Sequence, residues 1–130
     1  MRMLLAFFQA IMNAKSRAVN DKDKLGAAEM LENAVGEASE LDTSTLLSMS
    51  PDSIANILSV TGCDASVTEF MARSLMQAAA YRREAGDEDI ASLREFQARA
   101  IADAYGHDLT ISIDEFLQNF EDEIEDKEIC

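Results

Sequence analysis

The residues of this chain with the means to do chemistry are few and scattered. His107 is the single histidine, so any Ser-His-Asp or Cys-His arrangement has to be built on this one imidazole, and no spacing along the chain nominates its partner. Cys63 and Cys130 are the two cysteines. Far apart and without CxxC spacing, they make neither a zinc framework nor a disulfide scaffold and point to a reducing, cytoplasmic setting. Cys63 stands between Gly62 and Asp64 near a helix start, where the helix dipole favours a thiolate and Asp64 opposes it; a small, inert core or loop cysteine is the plainer reading. Asp21-Lys22-Asp23-Lys24-Leu25-Gly26, with Glu29 and Glu32, places acids at the first, third, ninth and twelfth positions of a calcium loop and Gly at the sixth. Leu25 brings no oxygen to the fifth position and two lysines oppose a cation, so the stretch reads as the capped start of a helix. No catalytic residues, metal ligands or cofactor are expected.

Whatever these residues do, helices must position them. The chain has 130 residues, 48% hydrophobic and only 6% aromatic, with one Pro and no Trp. Ala, Leu, Met and Glu dominate, no segment alternates Val, Ile or Thr, and the expectation is an all-α fold in one domain over 1–130. The net charge of −14 is unevenly spread: residues 1–24 hold five Lys/Arg against two acids, 25–71 hold eight acids and no base, and 114–130 carry a net −7. Such a surface repels phosphate backbones, which argues against direct nucleic-acid binding and leaves a basic protein partner open. The apolar run Met3–Met12 is too short to span a bilayer, and Asn13-Ala14-Lys15-Ser16-Arg17 lacks a small-x-small cleavage site, so no secretory leader is expected.

The apolar spacing predicts a first helix from about Met3 to Ala18, covered on more than one face by Leu4, Leu5, Phe7, Phe8, Ile11 and Met12. Phe7 and Phe8 make burial in the bundle or a homodimer seam along this helix the expected outcome. Asn20 is expected to cap a second helix through Glu40, with Ala27, Leu31, Ala34, Val35, Ala38 and Leu41 as its buried stripe. A short turn follows at Leu46-Leu47, then Ser50-Pro51 opens a helix that Gly62 stops. Ser66-Val67-Thr68-Glu69 reads as a capping box for a longer helix whose stripe runs from Val67 to Arg82. Ala85-Gly86-Asp87 breaks the pattern, and a further helix carries Ile90, Leu93, Phe96, Ala100, Ile101 and Ala104 inward until Gly106. Ser112-Ile113-Asp114-Glu115 is a second capping box, opening an acidic last helix with Phe116, Leu117, Phe120 and Ile124 on one face. This end is expected to dock on the bundle.

The hairpin over about 66–105 resembles one degenerate tetratricopeptide unit: Gly86-Asp87, Ala91, Ala98 and Ala79 sit where that repeat places its turn and small packing residues. It departs from the repeat at Leu75, Arg82 and Glu95 and lacks the closing Pro. More broadly, the order of short helices, Ser50-Pro51-Asp52-Ser53 and Glu84-Ala85-Gly86-Asp87 resemble a group of small bacterial helical proteins of unknown function. That likeness implies a compact bundle of antiparallel helical hairpins and no activity. The tetratricopeptide likeness implies a peptide-binding groove lined by Arg73, Met76, Ala80 and Arg83, two cations beside an apolar floor that would receive an acidic or C-terminal peptide. The same arginines have an alternative in the protein's own acidic last helix, which would fill the groove.

The expected function is therefore a non-enzymatic protein–protein interaction or adaptor module. Two other classes stay open: a helical enzyme or ion-binding protein using His107, Cys63 and scattered carboxylates, and an acidic regulator that mimics nucleic acid through the charge runs of the last helix.

Overall fold

The computed structural model describes residues 2–62, 64–110, 115 and 118. Six helices and no strand are found among them: α1 (Arg2–Asn20), α2 (Lys24–Ser39), α3 (Thr43–Leu47), α4 (Pro51–Thr61), α5 (Ala65–Glu84) and α6 (Glu88–Tyr105). The all-α expectation holds. The last predicted helix, with Phe116, Leu117, Phe120 and Ile124, lies outside the described residues except at Glu115 and Gln118, which are helical and exposed.

Short polar residues set most of the boundaries. Asp23, not Asn20, caps α2, because Asn20 is still the last residue of α1. The Asp23 carboxylate accepts from the Gly26 N–H at 2.9 Å and from Arg17 Nε at 2.9 Å, and these bonds, the backbone one foremost, hold its pKa below the ordinary value of 3.8. Asp42 caps α3 in the same way, taking the Ser44 hydroxyl at 2.6 Å and the Thr45 N–H at 3.1 Å. Ser50 caps α4 with Pro51 at its first position, as the sequence predicts, and Gly62 ends it with φ 74°. Asp64 rather than Ser66 caps α5. The predicted box fails because the helix has already begun at Ala65, leaving the Thr68 hydroxyl to donate to the Ala65 carbonyl inside the first turn. Gly86, at φ 91°, makes the predicted break between α5 and α6.

The core gathers one stripe from each helix. Phe7, Ile11, Ala14 and Ala18 come from α1, Ala27, Leu31 and Val35 from α2, Leu46 and Leu47 from α3, and Ile54 and Leu58 from α4. They meet Phe70, Met71, Leu75 and Ala78 of α5 and Ala98 and Ile101 of α6. Phe7 stacks on Phe70 with ring centroids 5.7 Å apart, which fixes α1 on the N-terminal half of α5. Helices α5 and α6 share the most extensive contact in the bundle, followed by α2 with α5 and α1 with α2. Gly36 lets α3 come close: a Cβ there would lie 2.9 Å from the Thr43 Cα. The face of α6 is rotated from the expected one. Phe96 is 59% exposed and Ala104 is exposed, while Ala91, Arg94, Gln97, Ala98, Ile101 and Ala102 are buried.

Candidate interaction surface

The rotation of α6 has a cause in the polar centre of the molecule. Glu32 of α2, 5% exposed, accepts a two-pronged guanidinium from Arg82, Nε to Oε2 at 2.6 Å and Nη2 to Oε1 at 2.8 Å. Its Oε2 also takes Arg94 Nε at 2.8 Å. Arg82 then reaches Asp87 through Nη1 at 2.7 Å, and its pKa is raised, first by the hydrogen bonds it donates to Glu32. Arg94 donates through Nη1 to the Leu47 carbonyl at 2.9 Å and to Gln97 Oε1 at 3.1 Å. Gln97 Nε2 closes the cluster on the Leu47 and Met49 carbonyls, both at 2.9 Å. One carboxylate thus ties α2 to α5 and α6, and the last two side chains supply the donors that the end of α3 needs. Arg94 and Gln97 must point inward for this, which turns Phe96 out.

A cleft of about 690 Å³ opens over this cluster, with Asp42, Thr43 and Ser44 on one side and Ile90 and Leu93 on the other. The two guanidiniums at its floor are committed to Glu32 and, from Arg82, to Asp87, so their charge is balanced locally and the cluster acts as a lock between helices.

The α5 residues expected to line a peptide groove lie along one side of that helix in different states. Arg73 is 4% exposed, donating through Nη2 to Glu69 at 3.1 Å and to the Asp108 carbonyl at 2.8 Å. Met76 is half-buried and Ala80 exposed. Arg83 is exposed but paired with Glu88 and Glu95, both at 3.2 Å, contacts that raise its pKa, Glu88 first. Both arginines therefore already hold carboxylates of this chain. The acidic last helix, expected as their alternative partner, lies largely outside the described residues.

His107 stacks on Tyr105 at 6.0 Å, and its Nε2 is 3.0 Å from the Thr68 hydroxyl. The same hydroxyl lies 2.9 Å from the Ala65 carbonyl, so it links the imidazole to the first turn of α5. Cys63 lies outside the described residues. Asp21 and Lys22 sit in the turn between α1 and α2, with Lys22 at φ 56°, and Asp23 is spent on its cap. Among the described residues no group of three or more His, Cys, Asp or Glu is arranged to hold a metal ion, and no helix is long and apolar enough to cross a membrane.

A second concavity lies elsewhere. Between α1 and α2 a groove of about 790 Å³ is floored by Ala6, Phe7, Ala10, Met30, Ala34 and Ala38, with Gln9, Asn13, Asn33 and Glu37 along its edges. Its walls are small: alanines four residues apart on both helices leave a channel where larger side chains would have met. Among the described residues that line it, Glu37 is the ionisable one. The sequence showed small residues on α2 that permit close helix approach, yet not that α1 would stop short of filling the space. On the opposite flank of α1, Leu5, Met12 and Val19 are 46%, 41% and 61% exposed. With Phe8 and Lys15 they fall at alternating three- and four-residue steps, the spacing of a helix-docking seam. Comparison with protein-family models, with curated proteins and with solved structures finds no match for this chain.

Proposed function

We propose that this protein is a non-enzymatic interaction module, and that its partner presents a basic amphipathic helix to the groove between α1 and α2. The observation that carries this reading is the groove itself: an apolar floor about two helical turns long, edged among the described residues by amides and the Glu37 carboxylate, on a chain of net charge −14. A helix laid in it would bury an apolar stripe on Phe7, Ala10, Met30 and Ala34 and set Lys or Arg beside Glu37. The wider acidity of the protein would speed the encounter with a basic partner and make it sensitive to salt.

The α5 face of Arg73, Met76, Ala80 and Arg83 supports the interaction reading less well. An acidic peptide there would have to displace Glu69, Glu88 and Glu95 from arginines already paired, gaining little over the internal contacts it replaces.

The test is a fluorescence-anisotropy titration of the full chain with a labelled amphipathic helix of leucine and lysine, beside its leucine–glutamate counterpart. The basic peptide is expected to bind and the acidic one not to. Ala34→Asp, at a half-buried groove position, is expected to weaken binding by about tenfold or more with unchanged helix content. Equal binding of both peptides, or binding indifferent to Ala34→Asp, would overturn the assignment.

A further inference from the structure

We propose that the cleft over the Glu32 cluster binds a free α-amino acid with an aliphatic side chain, its carboxylate on Arg94, its ammonium between Glu29 and Asp42, and its side chain on Ile90 and Leu93.

The proposal starts from a donor that the lock leaves over. A guanidinium has five N–H groups. Arg94 gives that of Nε to Glu32 and those of Nη1 to the Leu47 carbonyl and Gln97 Oε1. Among the described residues Nη2 has no acceptor. The Arg94 side chain is only 10% exposed, and a charged donor sealed away unbonded would be costly. Among the described residues Ser74 Oγ is the side-chain polar atom that is both sealed and unbonded, so Nη2 is open to solvent. The space that Arg94 lines is this cleft of about 690 Å³, a volume ordinary for a small-molecule site. The three bonds on its other nitrogens hold the guanidinium in one orientation, so its free edge is already placed for a carboxylate.

Two unspent acids share the cleft. Glu29 stands one helical turn before Glu32 on the same face of α2, is exposed, and makes no ion pair among the described residues. Asp42 spends Oδ2 on the Ser44 hydroxyl and on the N–H and hydroxyl of Thr45, which leaves Oδ1 without a donor among the described residues. Ile90 lies one turn before Arg94 on α6, and with Leu93 it gives a half-buried apolar wall.

These groups select among ligands by charge. An anion alone would bond Arg94 but face Glu29 and Asp42, and a cation alone would meet those acids but face the guanidiniums at the floor. A zwitterion answers both. An α-amino acid is the smallest such molecule that also carries an apolar group on the same carbon, which the wall of Ile90 and Leu93 would cover.

A chemical-shift titration of the isotopically labelled full chain with L-leucine tests this. Saturable shifts are expected in α3 and beside Arg94. L-leucinamide, which lacks the carboxylate, and N-acetyl-L-leucine, which lacks the ammonium, should each bind at least about tenfold more weakly, because each leaves a charged group of the cleft unmet. Glycine should be weaker than leucine by a similar factor of about ten. Glu29→Gln, at an exposed position outside the lock, is expected to weaken leucine binding about tenfold with unchanged helix content. Arg94 also holds the fold, so its own reading is the Arg94 Nε–H resonance of the parent chain, which should move with leucine and stay still with leucinamide. Silence with leucine, isoleucine and valine alike overturns the proposal. So does an amide, N-acetyl form or glycine that binds as tightly as leucine, binding indifferent to Glu29→Gln, or an Arg94 resonance that leucine does not move.

Discussion

The polar lock at Glu32 and the two flanks of α1 are opposite solutions to the same problem of covering a helix in a small bundle. At Glu32 every contact is specific and internal: two guanidiniums, two carboxylates, one amide and two backbone carbonyls satisfy each other across four helices. Around α1 the contacts among the described residues are mainly apolar, with alanines lining a groove on one side and Leu5, Met12 and Val19 partly exposed on the other. A buried ion cluster is costly to desolvate and gives little net stability over an apolar replacement, yet it tolerates only one arrangement of its helices. An apolar surface accepts many partners of similar shape. The molecule thus spends specificity on its own register and leaves adaptable apolar surface at the face where we propose that a partner helix binds.

The largest effect should come from breaking the lock on one side. Glu32→Ala leaves the buried Arg94 without its counter-charge and Arg82 with Asp87 alone, and is expected to cost about 3–5 kcal/mol in denaturant unfolding. Replacing all three together, Glu32→Leu, Arg82→Met and Arg94→Met, should return most of that stability; a triple variant as weak as the single one would show that the charges themselves stabilise the fold. Next comes Gly36→Ala, where the new methyl meets the Thr43 backbone and α3 must move. A loss of about 1–3 kcal/mol is expected, and a neutral result would show that α3 sits loosely over α2.

A smaller effect sharpens the other side of the comparison. Met12 is 41% exposed, so Met12→Ser should cost no more than about 0.5 kcal/mol in denaturant unfolding; a larger loss would show that the outer flank of α1 is covered.

The pH dependence is expected to be the smallest of these effects and to arise at the helix starts. Asp23 and Asp42 have folded pKa values depressed below 3.8, Asp23 chiefly by the Gly26 N–H and Asp42 chiefly by the Ser44 hydroxyl. Depressed carboxylates add stability that is fully present above their unfolded value and is lost as pH falls through the folded one. Stability should therefore hold from neutral pH down to about that value and decline below it, and Asp42→Asn should make the decline shallower in acid titrations followed by circular dichroism.

The helices were legible in the sequence because their stop signals are local. Gly62, Gly86 and Gly106 adopt the positive φ that their positions predict, and Ser50-Pro51 opens α4 as read. Starts shifted where two capping residues competed within a few positions, Asn20 against Asp23 and Ser66 against Asp64. The inward face of α6 was misread because Arg94 and Gln97 count as surface residues until a partner is known. Ala91, Ala98 and Ile101, spaced with Arg94 along one stripe, were the signal that this face turns in. Glu32 and Arg82 are 50 residues apart, and no spacing rule links them in a single sequence. The groove was partly legible in the small residues of α2, whereas the emptiness beside Ala6 and Ala10 depends on how α1 is angled by Phe7 against Phe70.

The most direct test of the central claim is a chemical-shift map of the isotopically labelled full chain titrated with the leucine–lysine helix. The account predicts shifts confined to α1 and α2, centred on Ala6, Ala10, Met30 and Ala34, with the Arg73–Arg83 side of α5 unmoved. Shifts centred on Arg73, Met76, Ala80 and Arg83, with α1 and α2 silent, would contradict it.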